Sequence, residues 1–159
     1  SGVIGLLLLS QNKAGHVFGV EVQEKYAKLS TYNAVANDFE KRYTSINCDL
    51  KDIRKNFTSG YADIVVSNPP YITGEEMKEL QKEVTFEPET ALFGGTDGLD
   101  FYRKLFKLWK PRLKDGGIFA VEVGDRQGDQ VKVLMEEAGF SAEIIHDLQG
   151  IGRIVFGKK

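Results

Sequence analysis

Four consecutive residues, Asn68-Pro69-Pro70-Tyr71, follow directly on the apolar run Asp63-Ile64-Val65-Val66-Ser67. Proline cannot donate to a sheet ladder, so the run must stop there and leave carbonyls without ladder partners. Asn68 adds a side-chain amide oxygen. Together, that oxygen and the Pro69 carbonyl can accept both hydrogens of a planar NH2 group. An amide or aromatic-amine nitrogen is a poor nucleophile because its lone pair is delocalised. Two acceptors orient it and favour the charge that develops on it during attack. Tyr71 can pack on the planar group. The plainer alternative is a rigid turn that merely ends a strand, but a buried strand followed by Asn, two prolines and an aromatic favours a site.

Two acids stand at corresponding places. Glu21 ends the strand-like run 16–22 and lies 19 positions after Gly2. An acid about 20 residues beyond a Gly-rich turn suits ribose hydroxyls, since a carboxylate accepts from both. The competing reading is a solvated charge at a strand end. Asp49, followed by Leu50, ends the next strand-like run. It is either a ligand contact or a cap for a helix from Lys51 onward, since Asp caps well. His16 and His146 are far apart and suggest surface or structural roles. Lys104, Lys107 and Lys110 repeat every three residues and read as a solvated helix face or a partner contact.

The elements that must position these residues alternate between helix-like and strand-like patterns. Residues 3–9 read as a buried helix, 16–22 as a strand and 24–37 as a helix with Tyr26, Leu29, Tyr32 and Val35 recurring on one face. Strands follow at 43–47 and 63–67. A long connection, 71–98, contains a short helix near 75–82; loops of this length inside compact domains are usually functional. Residues 99–113 form an amphipathic helix whose face carries Leu99, Tyr102, Leu105, Phe106 and Trp109. Thr96 and Asp97 offer caps at its start, and Pro111 limits its end. Gly116-Gly117 makes the turn into a strand at 118–123. A helix at 129–138 and strands at 140–147 and 151–156 complete the chain. The last two strands are joined too tightly for a crossover and should be antiparallel. This order implies an α/β fold, with a mostly parallel sheet and an antiparallel C-terminal strand, as one domain over residues 1–159.

The chain has 159 residues, 42% hydrophobic and 28% charged, a globular balance. With 21 Lys plus Arg against 23 Asp plus Glu, the net charge is −2, which offers no support for a phosphate-binding face. Cys48 is the single cysteine, so no internal disulfide and no cysteine metal cluster can form, and no metal site is expected. The longest apolar run, 2–9, is too short to cross a bilayer, and no basic segment precedes it. A cytoplasmic, monomeric protein without membrane or nucleic-acid partners is expected.

The Asn68-Pro69-Pro70-Tyr71 segment resembles motif IV of the S-adenosylmethionine-dependent methyltransferases that act on amide or exocyclic nitrogens. Glu87-Pro88, Ala91-Leu92, Gly95, Asp97-Gly98-Leu99 and Phe101-Tyr102 resemble a stretch of the HemK-type release-factor glutamine methyltransferases. Gly116-Gly117, Glu122, Gly124, Gln127 and Gly128 match a further pattern of that family with slightly different spacing, and Asp147-Leu148-Gln149-Gly150 with Arg153 match its closing pattern.

The resemblance implies a Rossmann-like class I methyltransferase fold, with S-adenosylmethionine as cofactor and S-adenosylhomocysteine as product. Cofactor contacts are implied at Gly2, Glu21, Val22, Asp49, Leu50 and Asn68. The implied catalytic residues are Asn68, Pro69 and Tyr71, and the substrate contacts are Asn68, Pro69, Pro70, Tyr71 and Glu87. Glu87-Pro88 also shapes the long loop, and Glu122 suits a structural acceptor. The implied substrate is the glutamine of the Gly-Gly-Gln loop in a peptide chain release factor. The family's first strand, its acid and its earlier glycines would precede Ser1. That strand is expected between those ending at Glu21 and Ser67, and without it the chain is expected to be inactive. An adenine N6-methyltransferase acting on RNA or DNA is the alternative. A nicotinamide-dependent oxidoreductase explains Glu21 but not Asn68 to Tyr71, and a non-catalytic binding module is the last rival.

Overall fold

The computed structural model of the chain describes residues 1–79 and 88–159, which form two compact units, Ser1–Asn56 and Phe57–Lys159.

The first unit contains α1 (Val3–Ser10), β1 (Val17–Glu21), α2 (Glu24–Ala36), β2 (Tyr43–Asn47) and a 3-10 turn, Leu50–Lys55. β1 and β2 pair in parallel, Val17 opposite Tyr43 and Glu21 opposite Asn47. Leu9, Ala34 and Tyr43 form the buried centre, with Leu6, Ala14, Val17 and Phe39 packed around them. The Tyr43 ring fills space that only glycine leaves open: a Cβ at Gly19 would stand 2.0 Å from its hydroxyl oxygen. Gly2 caps α1 in the left-handed region (φ 79°), and a Cβ there would meet the same hydroxyl at 2.8 Å.

Two expectations about this unit need correction. α1 is a helix, but it buries only Leu9; Val3, Ile4 and Leu7 are exposed. α2 turns inward not its large apolar residues but Ala27, Ser30 and Ala34, leaving Leu29, Tyr32 and Val35 exposed. The reason lies in hydrogen bonding and size. Ser30 Oγ donates to Ser45 Oγ at 3.0 Å, and Ser45 Oγ donates to the Ala27 carbonyl at 3.0 Å. Only small side chains allow the helix to approach β2 that closely.

The second unit contains β3 (Ala62–Ser67), α3 (Glu89–Leu92), α4 (Asp100–Trp109), β4 (Leu113–Glu122), α5 (Gly128–Glu137), β5 (Ser141–His146) and β6 (Gly152–Lys158). Its four-stranded sheet runs β3-β4-β6-β5. β3 and β4 are parallel; β6 is antiparallel to β4, and antiparallel to β5 as the short final connection requires. The strands thus fall into two sheets. Among the described residues β1 has a strand partner on one side only, and so has β3. Gly116-Gly117 is not a turn ahead of β4 but an irregularity within it: the register steps from Ala62 opposite Leu113 to Ile64 opposite Ile118. Gly116 (φ 76°) supplies the left-handed residue there.

The amphipathic face read for α4 is the one buried: Tyr102, Leu105, Phe106 and Trp109. The helix itself is shorter than expected, ending in a 3-10 turn, Lys110–Arg112, that contains Pro111. Phe106 meets Phe119 of β4 edge-on at 5.4 Å between ring centres, and Phe119 meets Phe140 at 6.0 Å. The expected helix near 75–82 is a 3-10 turn, Glu76–Lys78, introduced by a reciprocal cap. The Glu76 carboxylate accepts from Thr73 N at 2.9 Å, and Thr73 Oγ1 accepts from Glu76 N at 3.2 Å. Residues 80–82, and the candidate substrate contact Glu87, lie outside the described residues.

Candidate active site

Two sets of the anticipated residues occupy strand ends, one in each unit. In the first unit, parallel pairing places Glu21 and Asn47 side by side at the carboxyl ends of β1 and β2. Asn47 Nδ2 donates to the Glu21 and Val22 carbonyls at 2.8 and 2.9 Å, and Cys48 N donates to the Glu21 carbonyl at 3.1 Å. These bonds fix the turn that carries Glu21. Glu21 Oε1 accepts from Gln23 N at 2.9 Å, while Oε2 has no partner among the described residues. The carboxylate is therefore oriented by its own turn with an oxygen to spare. Asp49 caps the 3-10 turn, accepting from Lys51 N at 2.9 Å. Leu50 beside it is half-buried. Cys48 is held in its thiol form by burial and by the neighbouring Asp52 and Asp49 carboxylates.

In the second unit the chain leaves β3 at Ser67, opposite Val121 of β4, and enters a proline-stiffened hook, Asn68-Pro69-Pro70-Tyr71. Asn68 is exposed, Pro69 is buried, and Pro70 and Tyr71 are half-buried. Beyond the hook, Ile72 N donates to the Leu92 carbonyl and Gly94 N to the Ile72 carbonyl, both at 2.9 Å. The hook is thus anchored on its far side by a short parallel bridge. Packing there is backbone against backbone: a Cβ at Gly94 would lie 2.6 Å from Tyr71 Cα and 2.9 Å from the Pro70 carbonyl oxygen. Glycine is required for that approach.

Tyr102 of α4 lies close to the hook. Its hydroxyl donates to the Glu122 carbonyl at 2.9 Å. Burial, then the nearby Tyr71 and Glu122, push its ionisation well above the ordinary phenol value. Glu122 thus contributes a backbone acceptor. The loop before α4 is held by Asp97, whose Oδ1 accepts from Leu99 N at 3.0 Å, and whose carboxylate pairs with Arg103 at 2.5 Å. The Arg103 guanidinium, helped by the Leu99 amide, brings the Asp97 carboxyl down to about 2. Asp97 therefore acts two residues ahead of the helix rather than at the cap position itself, which Leu99 occupies.

Other anticipated residues have structural partners. Asp147 Oδ1 accepts from Gln149 N and Ile151 N at 2.8 and 3.0 Å, and Oδ2 accepts from Arg153 Nε at 2.8 Å. The Asp147–Arg153 pattern is therefore the tie of the β5–β6 hairpin. Arg153 also pairs with Asp125 beyond β4. His16 bonds Thr44 Oγ1 at 2.9 Å, and His146 is exposed at the end of β5. The sequence reading assigned no task to Gln127. Its side-chain Nε2 donates to the Tyr71 carbonyl at 3.0 Å. The signal that could have found it was its place in the Gly124, Gln127, Gly128 pattern.

A parallel strand that ends in an exposed amide acceptor, set in alternating helices and strands, has the fold of a class I methyltransferase. A solved methyltransferase from Pyrococcus furiosus superposes with a TM-score of 0.72 at 20% identity, covering 100% of this chain and 70% of that one. Residues 1–95 match the methyltransferase small domain, and the chain belongs to that family. Two curated relatives are similar over nearly its whole length. The release factor glutamine methyltransferase of Clostridium acetobutylicum is 37% identical over 158 residues, 98% of this chain and 55% of the relative. That of Bacillus cereus is 37% identical over 161 residues, 99% of this chain and 56% of the relative. The chain thus spans about half the length of the curated relatives it matches. Among the described residues no helix is long and apolar enough to cross a membrane.

Proposed function

We propose that this chain is the methyl-transfer domain of a protein glutamine N5-methyltransferase. Its substrate is the glutamine of the Gly-Gly-Gln loop in a peptide chain release factor. The observation that carries this reading is the hook at the end of β3: Asn68 stands exposed beyond the last ladder residue, on a backbone stiffened by two prolines and anchored at Gly94. The names of these relatives, release factor glutamine methyltransferases, support the choice of a side-chain amide over an adenine amine.

S-adenosylmethionine supplies an electrophilic methyl group on a sulfonium when bound. In the first unit, the residues suited to hold it are Glu21, through its spare oxygen toward ribose hydroxyls, with Gly2, Val22, Asp49 and Leu50. Asn68 Oδ1 and the Pro69 carbonyl accept the two N–H groups of the substrate amide, and Tyr71 packs against its plane. This fixes the orientation of the nitrogen; the bound cofactor would supply the methyl carbon for the new carbon–nitrogen bond and take back the carbon–sulfur bonding pair. The methylated nitrogen is acidic and releases its proton without a dedicated strong base. Rate enhancement comes from orientation and electrostatic acceptance, with no covalent enzyme intermediate. The protein acts as a cytoplasmic monomer.

The test is transfer of labelled methyl from S-adenosylmethionine to purified release factor by the full-length protein. Label is expected on the release factor and not on transfer RNA. Removing one preorganised hydrogen-bonding group at a reacting centre costs on the order of 10²–10³ in rate, so Asn68→Ala should lose about that much. A wild-type rate in Asn68→Ala removes the hook from the mechanism, and label on RNA alone selects the adenine reading.

A further inference from the structure

The hook has a carbonyl that the strand ladder cannot serve. Pro69 and Pro70 have no N–H, and the chain has already left β4 when it reaches Tyr71. Yet the Tyr71 carbonyl is paired, and its donor stands 56 residues away in sequence: Gln127 Nε2, at 3.0 Å. The other end of the same amide, Gln127 Oε1, accepts from Gly124 N at 3.2 Å. Gln127 N in turn donates to the Gly124 carbonyl at 2.9 Å, and the Gln127 carbonyl accepts from Val131 N at 2.9 Å as α5 begins. One side chain therefore joins three things: the hook after β3, the turn after β4 and the start of α5.

The amide orientation follows from the partners. A carbonyl must face the NH2 group and an N–H must face the oxygen, so a single arrangement satisfies both. The space around it is equally restricted. A Cβ at Gly98, which sits at φ 74°, would lie 2.4 Å from the Tyr71 carbonyl oxygen and 2.5 Å from Gln127 Nε2. A Cβ at Gly124 would lie 3.0 Å from Gln127 Oε1 and 3.3 Å from Tyr71 Cδ2. Two glycines thus leave room for one amide, and the amide contributes both a donor and an acceptor. Glutamate has the shape but not the donor. Methionine has the length but neither strong group.

We propose that Gln127 is a positioning residue for methyl transfer: by bridging the Tyr71 carbonyl and the Gly124 amide, it sets where the Asn68 and Pro69 acceptors stand. It touches neither cofactor nor substrate in this role. The proposal rests on the methyl-transfer reading above. It adds that the hook is held in place by the turn after the neighbouring strand. Acceptor placement matters at the scale of about 1 Å, a displacement that can cost on the order of 10² in rate.

The experiment uses Gln127→Met and the near-isosteric Gln127→Glu in the full-length protein. Two measurements are made: amide hydrogen exchange at Gly124, and steady-state methylation of release factor with S-adenosylhomocysteine affinity beside it. The expected result is faster Gly124 exchange in Gln127→Met, near wild-type Gly124 exchange in Gln127→Glu, whose carboxylate still accepts from Gly124 N, and kcat lower by roughly 10- to 100-fold in both. KM for release factor and affinity for S-adenosylhomocysteine should stay within about threefold of wild type, a split that a general loss of structure would not produce. Unchanged Gly124 exchange in Gln127→Met overturns the bridge. Faster exchange with wild-type kcat overturns its positioning role, as does a loss of kcat matched by an equal loss of S-adenosylhomocysteine affinity. If Gln127→Met fails to fold, Gln127→Glu, which loses only the donor to the Tyr71 carbonyl, decides by kcat against S-adenosylhomocysteine affinity: a wild-type kcat, or an equal loss of both, overturns the positioning role. A wild-type protein that methylates RNA in place of release factor overturns the substrate assignment alone; the same kcat and exchange comparison, made on RNA, then decides the role of Gln127.

Discussion

Asn68 and Asp97 illustrate two different uses of a short polar side chain. Asn68 has no hydrogen-bond partner among the described residues and stands exposed, which leaves its oxygen open for an incoming N–H. Asp97 is committed to its own loop through Leu99 N and Arg103. That commitment has a pH signature. The folded carboxyl ionises at about 2, below its ordinary 3.8, so folding favours the charged form. Its contribution to stability is complete above about pH 4 and disappears as pH falls toward 2. The pair is exposed, so the contribution is small and weakens with salt. Thermal unfolding of wild type and Asp97→Asn between pH 2 and 6 should show a gap at pH 6 that closes at the acid end. The types of both residues were legible in the sequence; which of them was already occupied was not.

At the scale of elements, α4 and α2 make an instructive pair. The spacing of Tyr102, Leu105, Phe106 and Trp109 predicted the buried face of α4, because large apolar groups at helical period have one favourable place to go. Phe106 sits at the centre of that face, against Phe119 and Phe140. Truncating a buried aromatic costs about 3–5 kcal/mol. Phe106→Ala should therefore lower stability to chemical denaturation by about that amount, read from the urea midpoint at constant m-value. The same periodic argument failed for α2, whose Tyr32 is 70% exposed while Ser30 is 3% exposed. There, close approach to β2 and the Ser30–Ser45 bond outweighed side-chain size. Gly116-Gly117 was read as a turn because glycine pairs commonly make one. In the sheet the pair forms a bulge within β4 instead, since the strand already begins at Leu113.

At the scale of the whole chain, a net charge of −2 offers no support for binding a polyanion through its phosphates. Ligand linkage provides a test that does not depend on the substrate. A ligand that binds only the folded state, present at a hundred times its Kd, adds about 2.7 kcal/mol of stability. S-adenosylhomocysteine at that excess should raise the unfolding midpoint of the full-length protein accordingly, and NAD should not. Equal effects from the two would return the oxidoreductase reading to contention.

The sequence alone determined the order of helices and strands, the place where a strand had to stop, and the chemical groups available at that stop. Each of these follows from local physics: side-chain periodicity, the missing N–H of proline, the oxygen of an amide. Tertiary structure decided which partners those groups meet. Nothing near Tyr71 in sequence says that its carbonyl is served by Gln127, because the donor arrives through the pairing of β3 with β4 and the course of the chain after β4. A hydrogen-bond requirement is local, but the group that satisfies it is chosen by the fold.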